Sequence, residues 1–331
     1  MKRGLQLLIL VIISVVVLAA CGTEDAGGDD ATYKIGASQI VEHPSLDRAY
    51  EGFQAALEEA GLDVEYDYQS AQGDQNNLKP ISDGFVADNV DLIFANSTPA
   101  ALSALDATKD ARDIPIVFTS VTDAVASEIV ESMDQPGENI TGVVDLHPEA
   151  IQETVKFIDT YFPDSTVGLI YNAGESNSVT QIENVLAAGE GTTLSFEERT
   201  VANSSEVLQA ANTLVSEVDL FYIVTDNTVV SALDSVVGVA NEQDIPLVVG
   251  EPDSLAKGGF ITFGIDYYTI GYRSGEMAVE ILTGEKTTKD IPVEYPPEIQ
   301  LFINKEAAEE QGVEWNAEWD ESAQFVETAK E

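Results

Sequence analysis

Cysteine is nearly absent from this chain of 331 residues, where Cys21 stands alone. No intrachain disulfide can form, and stability must come from packing. With only two histidines, His43 and His147, beside that cysteine, soft ligands are too few for a zinc centre. Both histidines precede proline and read as surface turn residues. Basic residues are also scarce: 15 Lys and Arg face 59 Asp and Glu, for a net charge of -44. Such a field repels phosphate backbones and excludes nucleic acid as a partner. No G-x-S-x-G elbow and no complete phosphate loop occurs. Gly284-Glu285-Lys286-Thr287-Thr288 has the tail of a phosphate loop without its upstream glycine, follows a helical pattern, and reads as a helix C-cap and turn. No catalytic residue, metal or cofactor is expected, and the chain reads as a binder rather than an enzyme.

What the chain does have begins at its start. Met1-Lys2-Arg3 is basic, and Leu5 to Ala20 carry no charge, the layout of a secretory signal over residues 1–20. That stretch is shorter than the roughly 20 apolar residues of a membrane span, and no second apolar run long enough to span follows. Leu18-Ala19-Ala20 leads straight into Cys21. This is similar to the bacterial lipoprotein signal, which implies lipidation of Cys21 and anchoring at the extracytoplasmic face of the cell membrane. Residues 21–31, with Gly27-Gly28 and four acidic residues, read as a flexible tether. Without Lys2 and Arg3, 13 basic residues oppose 59 acidic ones. The acids recur on helix faces such as Glu51, Glu58 and Glu59 rather than in one tail, a solvated coat suited to high salt. A halophilic setting is the expectation.

The remaining length, about 310 residues, suffices for two cores, and an internal repeat supports two. Val90 to Leu105 aligns without a gap on Val218 to Leu233: an apolar strand, a polar cluster, then a helix. A second matching strand follows each copy, Asp113 to Phe118 and Asp244 to Val249. More loosely, Tyr33 to Gln39 matches Ser165 to Tyr171. Strands alternating with helical patterns predict two α/β lobes, each a doubly wound parallel sheet. Helices are predicted over Leu46 to Ala60, Leu78 to Asp88, Pro148 to Tyr161, Ser178 to Ala188, Ser205 to Glu217 and Gly271 to Thr283.

In such sheets ligands bind beyond the carboxyl ends of the strands. The residues there are Ser38-Gln39, Ser97-Thr98-Pro99, Thr119 to Asp123 with Thr122, Gly174-Glu175-Ser176-Asn177-Ser178, Thr225-Asp226-Asn227-Thr228, Gly250-Glu251, and Gly264 to Tyr268 with Asp266 and Tyr267. Nearly all are polar and uncharged, or acidic. Hydroxyls and N-terminal amides at Ser97-Thr98 and Ser176-Asn177-Ser178 suit a carboxylate, and Asp226, Asp266 or Asp123 suits an ammonium. A molecule with both groups is an α-amino acid. Phe118, Tyr171 and Tyr267 offer an aromatic side-chain pocket.

These segments, with Ile35 to Asp47, Ser70-Ala71-Gln72-Gly73-Asp74, Tyr171 to Ser178 and Gly264 to Tyr272, resemble the extracytoplasmic solute-binding proteins of ABC transporters, in the group with tryptophan and tyrosine binders. The resemblance spans Tyr33 to about Asn304. It implies a type I periplasmic-binding-protein fold with three crossovers: a first lobe of 32–146 plus 265–288 and a second of 147–264 plus 289–331, with Ile291 to Ile303 added to the second. It implies an amino-acid ligand, an aromatic one favoured, held between Ser97-Thr98 and Thr122-Asp123 on one side and Ser176-Asn177-Ser178 and Asp226-Asn227 on the other. Delivery to a membrane permease with its ATPase is implied as well. A sensory receptor, and a sugar or nucleoside ligand, remain open as alternatives. One departure stands out: Thr122-Asp123-Ala124-Val125 lacks the proline expected after the aspartate.

Overall fold

The computed structural model describes residues 32–111 and 113–329. The signal segment, Cys21 and the tether lie outside the described residues. Twelve strands are described: β1 Tyr33–Gln39, β2 Val64–Ser70, β3 Leu92–Asn96, β4 Ile116–Val121, β5 Ile140–Val144, β6 Thr166–Asn172, β7 Ser195–Val201, β8 Leu220–Ile223, β9 Leu247–Val249, β10 Ile261–Gly264, β11 Gln300–Ile303 and β12 Gln324–Phe325. The helices are α1 Pro44–Glu59, α2 Leu78–Ala87, α3 Thr98–Ala107, α4 Ala150–Tyr161, α5 Ser176–Gly189, α6 Val207–Leu214, α7 Asn227–Val230, α8 Leu233–Gln243, α9 Asp253–Ala256, α10 Tyr267–Leu282, α11 Lys305–Glu310 and α12 Trp319–Ser322.

The strands form two sheets, β2-β1-β3-β4-β5 and β12-β11-β10-β9-β8-β6-β7. The first is parallel throughout, and the second is parallel except where β10 meets β11. Burial on both faces explains the uninterrupted apolar strands. In β3, Leu92 and Phe94 face the core under α1 and α10, while Ile93 and Ala95 face that under α2 and α3. In β8, Leu220 and Tyr222 pack with α4, α5 and Trp319, while Phe221 and Ile223 pack with α6 and α8. Asp91 accepts the amide of Lys34 at 2.7 Å, and Asp219, its repeat partner, accepts that of Thr166 at 2.8 Å. The duplicated sequence thus ties duplicated strands.

The lobes are joined three times. The chain leaves β5 to start α4 against β10, leaves β10 to start α10 against α1, and later reaches β11. Helices α1 and α10 pack backbone to backbone, because a β-carbon at Gly271 would overlap the Ala49 carbonyl and one at Gly52 the Tyr268 carbonyl. The third crossing comes later than the sequence suggested. Thr141 Oγ1 donates to Ile291 O at 2.6 Å, Val293 N to Met133 O at 2.8 Å and Val144 N to Glu294 O at 2.9 Å. Ile291 and Val293 are buried in the first lobe's cores. Residues 289–294 therefore extend the first lobe beyond β5, whose edge amides and carbonyls need partners, and only β11 joins the second sheet. Helices α5 and α10 also start earlier than expected, so Ser176, Asn177, Tyr267 and Tyr268 lie in first turns rather than loops. Thr283 caps α10, and Gly284, at φ 74, turns the chain just after it.

Candidate functional site

The carboxyl ends of both sheets face each other. On the first lobe the site is built mainly of amides and hydroxyls, with the Asp47 carboxyl behind them. Gln39 on β1 is fully buried, donates to Val41 O and to Asp47 Oδ1 at 2.8 Å, and accepts Asn96 Nδ2 at 2.9 Å. Asn96, the last residue of β3, also donates to Leu46 O and accepts Ser120 Oγ at 2.7 Å. Ser97 caps α3 through Ala100 N, and Thr98 Oγ1 accepts Thr122 N. Ser97 holds φ 145 and Ser120 φ 56, backbone conformations costly for non-glycine residues that concentrate at binding sites. Ser38 Oγ is buried and has no protein partner.

On the second lobe the site is anionic. Glu175, at the end of the β6 loop, is buried and spans four donors: Thr228 N and Oγ1 on one oxygen, Asn227 Nδ2 and Asn177 Nδ2 on the other. Four donors fill the lone-pair sites of a carboxylate. Asp226 is fully buried beside it, accepting Asn172 N and Val229 N at 2.7 Å each, with a further bond from Ser178. One acceptor position is left. Burial, and then the neighbouring Glu175 charge, raise the Asp226 carboxyl above its usual range. Among the ion pairs of the described residues none involves Glu175 or Asp226. Asn177 Oδ1 is buried without a partner.

Hydrogen bonds cross between the lobes. Gln181 Nε2 reaches Thr122 Oγ1 at 3.4 Å while its Oε1 accepts Thr225 Oγ1 at 2.9 Å. Gln75 Nε2 meets Gly174 O at 3.4 Å, and Ser45 Oγ donates to Glu251 Oε2 at 2.6 Å. A cavity of about 950 Å³ opens between the lobes, lined by Gln72, Gly73 and Gln75 on one side and Asn172, Glu175 and Thr228 on the other.

Several residues singled out in the sequence lie elsewhere. Asp266 is exposed and caps α10 through Tyr268 N. Asp123 caps its own turn through Val125 N and Ala126 N, closing the loop without the missing proline. Ser176 is exposed. The aromatic pocket is not assembled: Phe118 is packed inside the first lobe, Tyr171 bonds Glu198 on β7, and Tyr267 donates to Asp145 Oδ2 at 2.7 Å where two crossovers meet. Burial pushes the Asp145 carboxyl up to about 6, and burial with Asp145 alongside pushes the Tyr267 hydroxyl well above its ordinary value. His43 is not a surface turn residue, since it is 8 % exposed and packs against the second lobe. A proline after a histidine marks a helix start as readily as a turn, and here Pro44 opens α1. Asn96, Ser45 and Gln181 were not foreseen. Gln181 follows Asn177 and Ser178 at helical spacing of four and three, a signal the sequence did contain. Among the described residues no cluster of His, Cys, Asp and Glu is disposed to hold a metal, and no helix is long and apolar enough to cross a membrane.

Residues 34–326 match the family of ABC transporter substrate binding proteins. The chain belongs to that family. Its members bind solutes and are not enzymes. This substrate-binding protein is 38% identical over 319 residues to the tyrosine-binding protein of Clostridioides difficile, covering 92% of this chain and 91% of that one. It is similar to an ABC domain from Streptococcus pneumonia in complex with L-Trp, with TM-score 0.83 and 32% identity over 89% of this chain and 100% of the other. Against a ligand-free, open substrate-binding protein with adhesive properties from Clostridium difficile the TM-score is 0.65, at 35% identity, with 90% and 100% covered. The fit is better to the L-Trp complex than to the open, ligand-free structure, at no higher identity, and hydrogen bonds join the two lobes of this chain.

Proposed function

We propose that this protein captures an amino acid between its lobes outside the cell and delivers it to the permease of an ABC importer. The observation that carries the ligand class is the adjacent buried pair Glu175 and Asp226 with no cationic side chain against it. Two buried carboxylates without a counter-charge are costly, and an α-ammonium supplies one, at the acceptor position left on Asp226. Hydroxyls and α3 amides of the first lobe, with Ser38 Oγ and Ser97-Thr98, would take the carboxylate. Tyrosine or tryptophan is the side chain we favour, on the similarity to the tyrosine-binding protein and to the L-Trp complex. Ligand contact with both sides holds the closed form, the state a permease would recognise.

A thermal-shift screen of the 20 amino acids in high salt, followed by calorimetry, tests this. A ligand at 100 times its Kd stabilises by about 2.7 kcal/mol. No shift with any amino acid would overturn the reading. Lipidation of Cys21 is proposed as the anchor, and the mass of the mature N-terminus, with more than one acyl chain, tests it. A protein most stable in low salt would remove the halophilic reading of the -44 charge.

A further inference from the structure

Helix α1 presents its N-terminal turn to the other lobe. His43 occupies the cap position, makes no capping bond to its own helix, and is buried, with Nδ1 lacking any partner. Its ring bonds the Asn227 side chain of the second lobe. Two residues on, Ser45 donates to Glu251, which also accepts Ser254 N at 3.1 Å and the Ser254 hydroxyl. The lobes thus meet at one corner through a neutral imidazole and a carboxylate seated at a helix start.

We infer that this corner makes ligand retention sensitive to acid, because His43 must be uncharged for the lobes to close and is free to take a proton when they part. Three features oppose an imidazolium in the closed form. Solvent is excluded, the Lys257 ammonium acts on the ring from the second lobe, and the positive end of α1 lies at the same residue. Asn227 alone favours the charged ring. The other titratable groups of the corner are Asp47 and Glu42 on the first lobe and Glu251 and Asp253 on the second; Asp47, Glu251 and Asp253 are raised, chiefly by burial. Any part of that burial that comes from closure makes these carboxyls take up protons and oppose the His43 effect, so the variant comparison, rather than the raw pH profile, isolates the ring. Burial and Lys257 hold His43 at about 3 when closed, whereas an exposed histidine titrates near 6.5. A lowered value means the closed form is fully favoured above about 6.5 and loses up to about tenfold per pH unit below it.

The inference rests on the proposed cleft, and L-tyrosine or L-tryptophan, whichever binds at pH 7.5, is the probe. Between pH 7.5 and 5.0 the affinity ratio of wild type to His43→Gln should fall by about 30-fold. Wild type at pH 6.0 should release more protons on binding than the variant, read by calorimetry in buffers of different ionisation enthalpy. A merely structural His43 would shift affinity equally at both pH values and leave proton release unchanged, and that result overturns the inference. Absence of binding of both at pH 7.5 would instead overturn the aromatic preference, and the same comparison would then use the amino acid found in the thermal-shift screen.

Discussion

The two lobes repeat one backbone plan and differ in charge where they face each other. Aligned positions show how. Asn96, which ties Gln39 to Ser120, corresponds to Val224, an apolar core residue, and Thr98 corresponds to Asp226. The helix cap moves with them, from Ser97 in the first lobe to Asp226 in the second, one position later in the repeat. The helix that follows runs ten residues in one lobe and four in the other before a break. Duplication therefore preserved what holds strands together, such as Asp91 and Asp219, and left the strand ends to diverge into one surface made mainly of amides and hydroxyls and one built on a buried pair of carboxyls. The amino acid proposed as ligand would need that inequality, because two equal surfaces would read its two ends alike.

Truncating each member of the aligned pair in turn tests the comparison most severely. Asp226→Ala should weaken amino-acid binding by at least about 100-fold, as expected for a lost charge-assisted contact of about 3 kcal/mol. Thr98→Ala, its counterpart, should cost less than about tenfold by calorimetry. Equal losses would erase the distinction between the two surfaces. A smaller effect separates the lobes by packing. Gly271→Ala drives a methyl into the Ala49 carbonyl between α10 and α1, and should destabilise by about 2–3 kcal/mol in chemical denaturation, with the first lobe melting earlier. Smallest is a change where the lobes join. Asp145 is held at about 6, above the 3.8 of the free group, so its favourable contribution is present below about pH 4 and lost as pH rises through 6. Asp145→Asn, which still accepts the Tyr267 hydroxyl, should raise stability at pH 8 by about 1–2 kcal/mol and have no effect at pH 4. Thermal melts at the two pH values decide it.

Much of the fold was legible because buried parallel strands advertise themselves: Leu92-Ile93-Phe94-Ala95 and Leu220-Phe221-Tyr222-Ile223 are apolar on both faces. The polar strand ends were legible too, since Ser, Thr, Asn and Asp gather where helices begin. Which of them could serve a ligand was not, because the same residues cap helices. Asp123, Asp226 and Asp266 look alike in sequence, and only burial next to Glu175 sets Asp226 apart as the proposed ammonium partner. The wrong aromatic pocket has a similar cause, for Phe118 and Tyr171 sit near strand ends while pleat alternation turns their side chains elsewhere. Residues 289–294 were misassigned because an edge strand's need for a partner is a property of β5, far away in sequence. His43 was misread because contact between lobes leaves no local pattern.

The docking of α10 onto α1 fixes an order of assembly. A chain that emerges N-terminus first offers β1 to β5 and their helices well before Tyr267 to Leu282, so the face of α1 around Ala49, Gly52 and Phe53 waits uncovered while the whole second lobe, as far as β10, is produced. Such distant closure slows folding. The second sheet waits in turn for β11 and β12 from the end of the chain. Neither lobe can finish before its partner has started, and cutting the chain in the second crossover, between β10 and α10, would leave both lobes incomplete rather than freeing two domains.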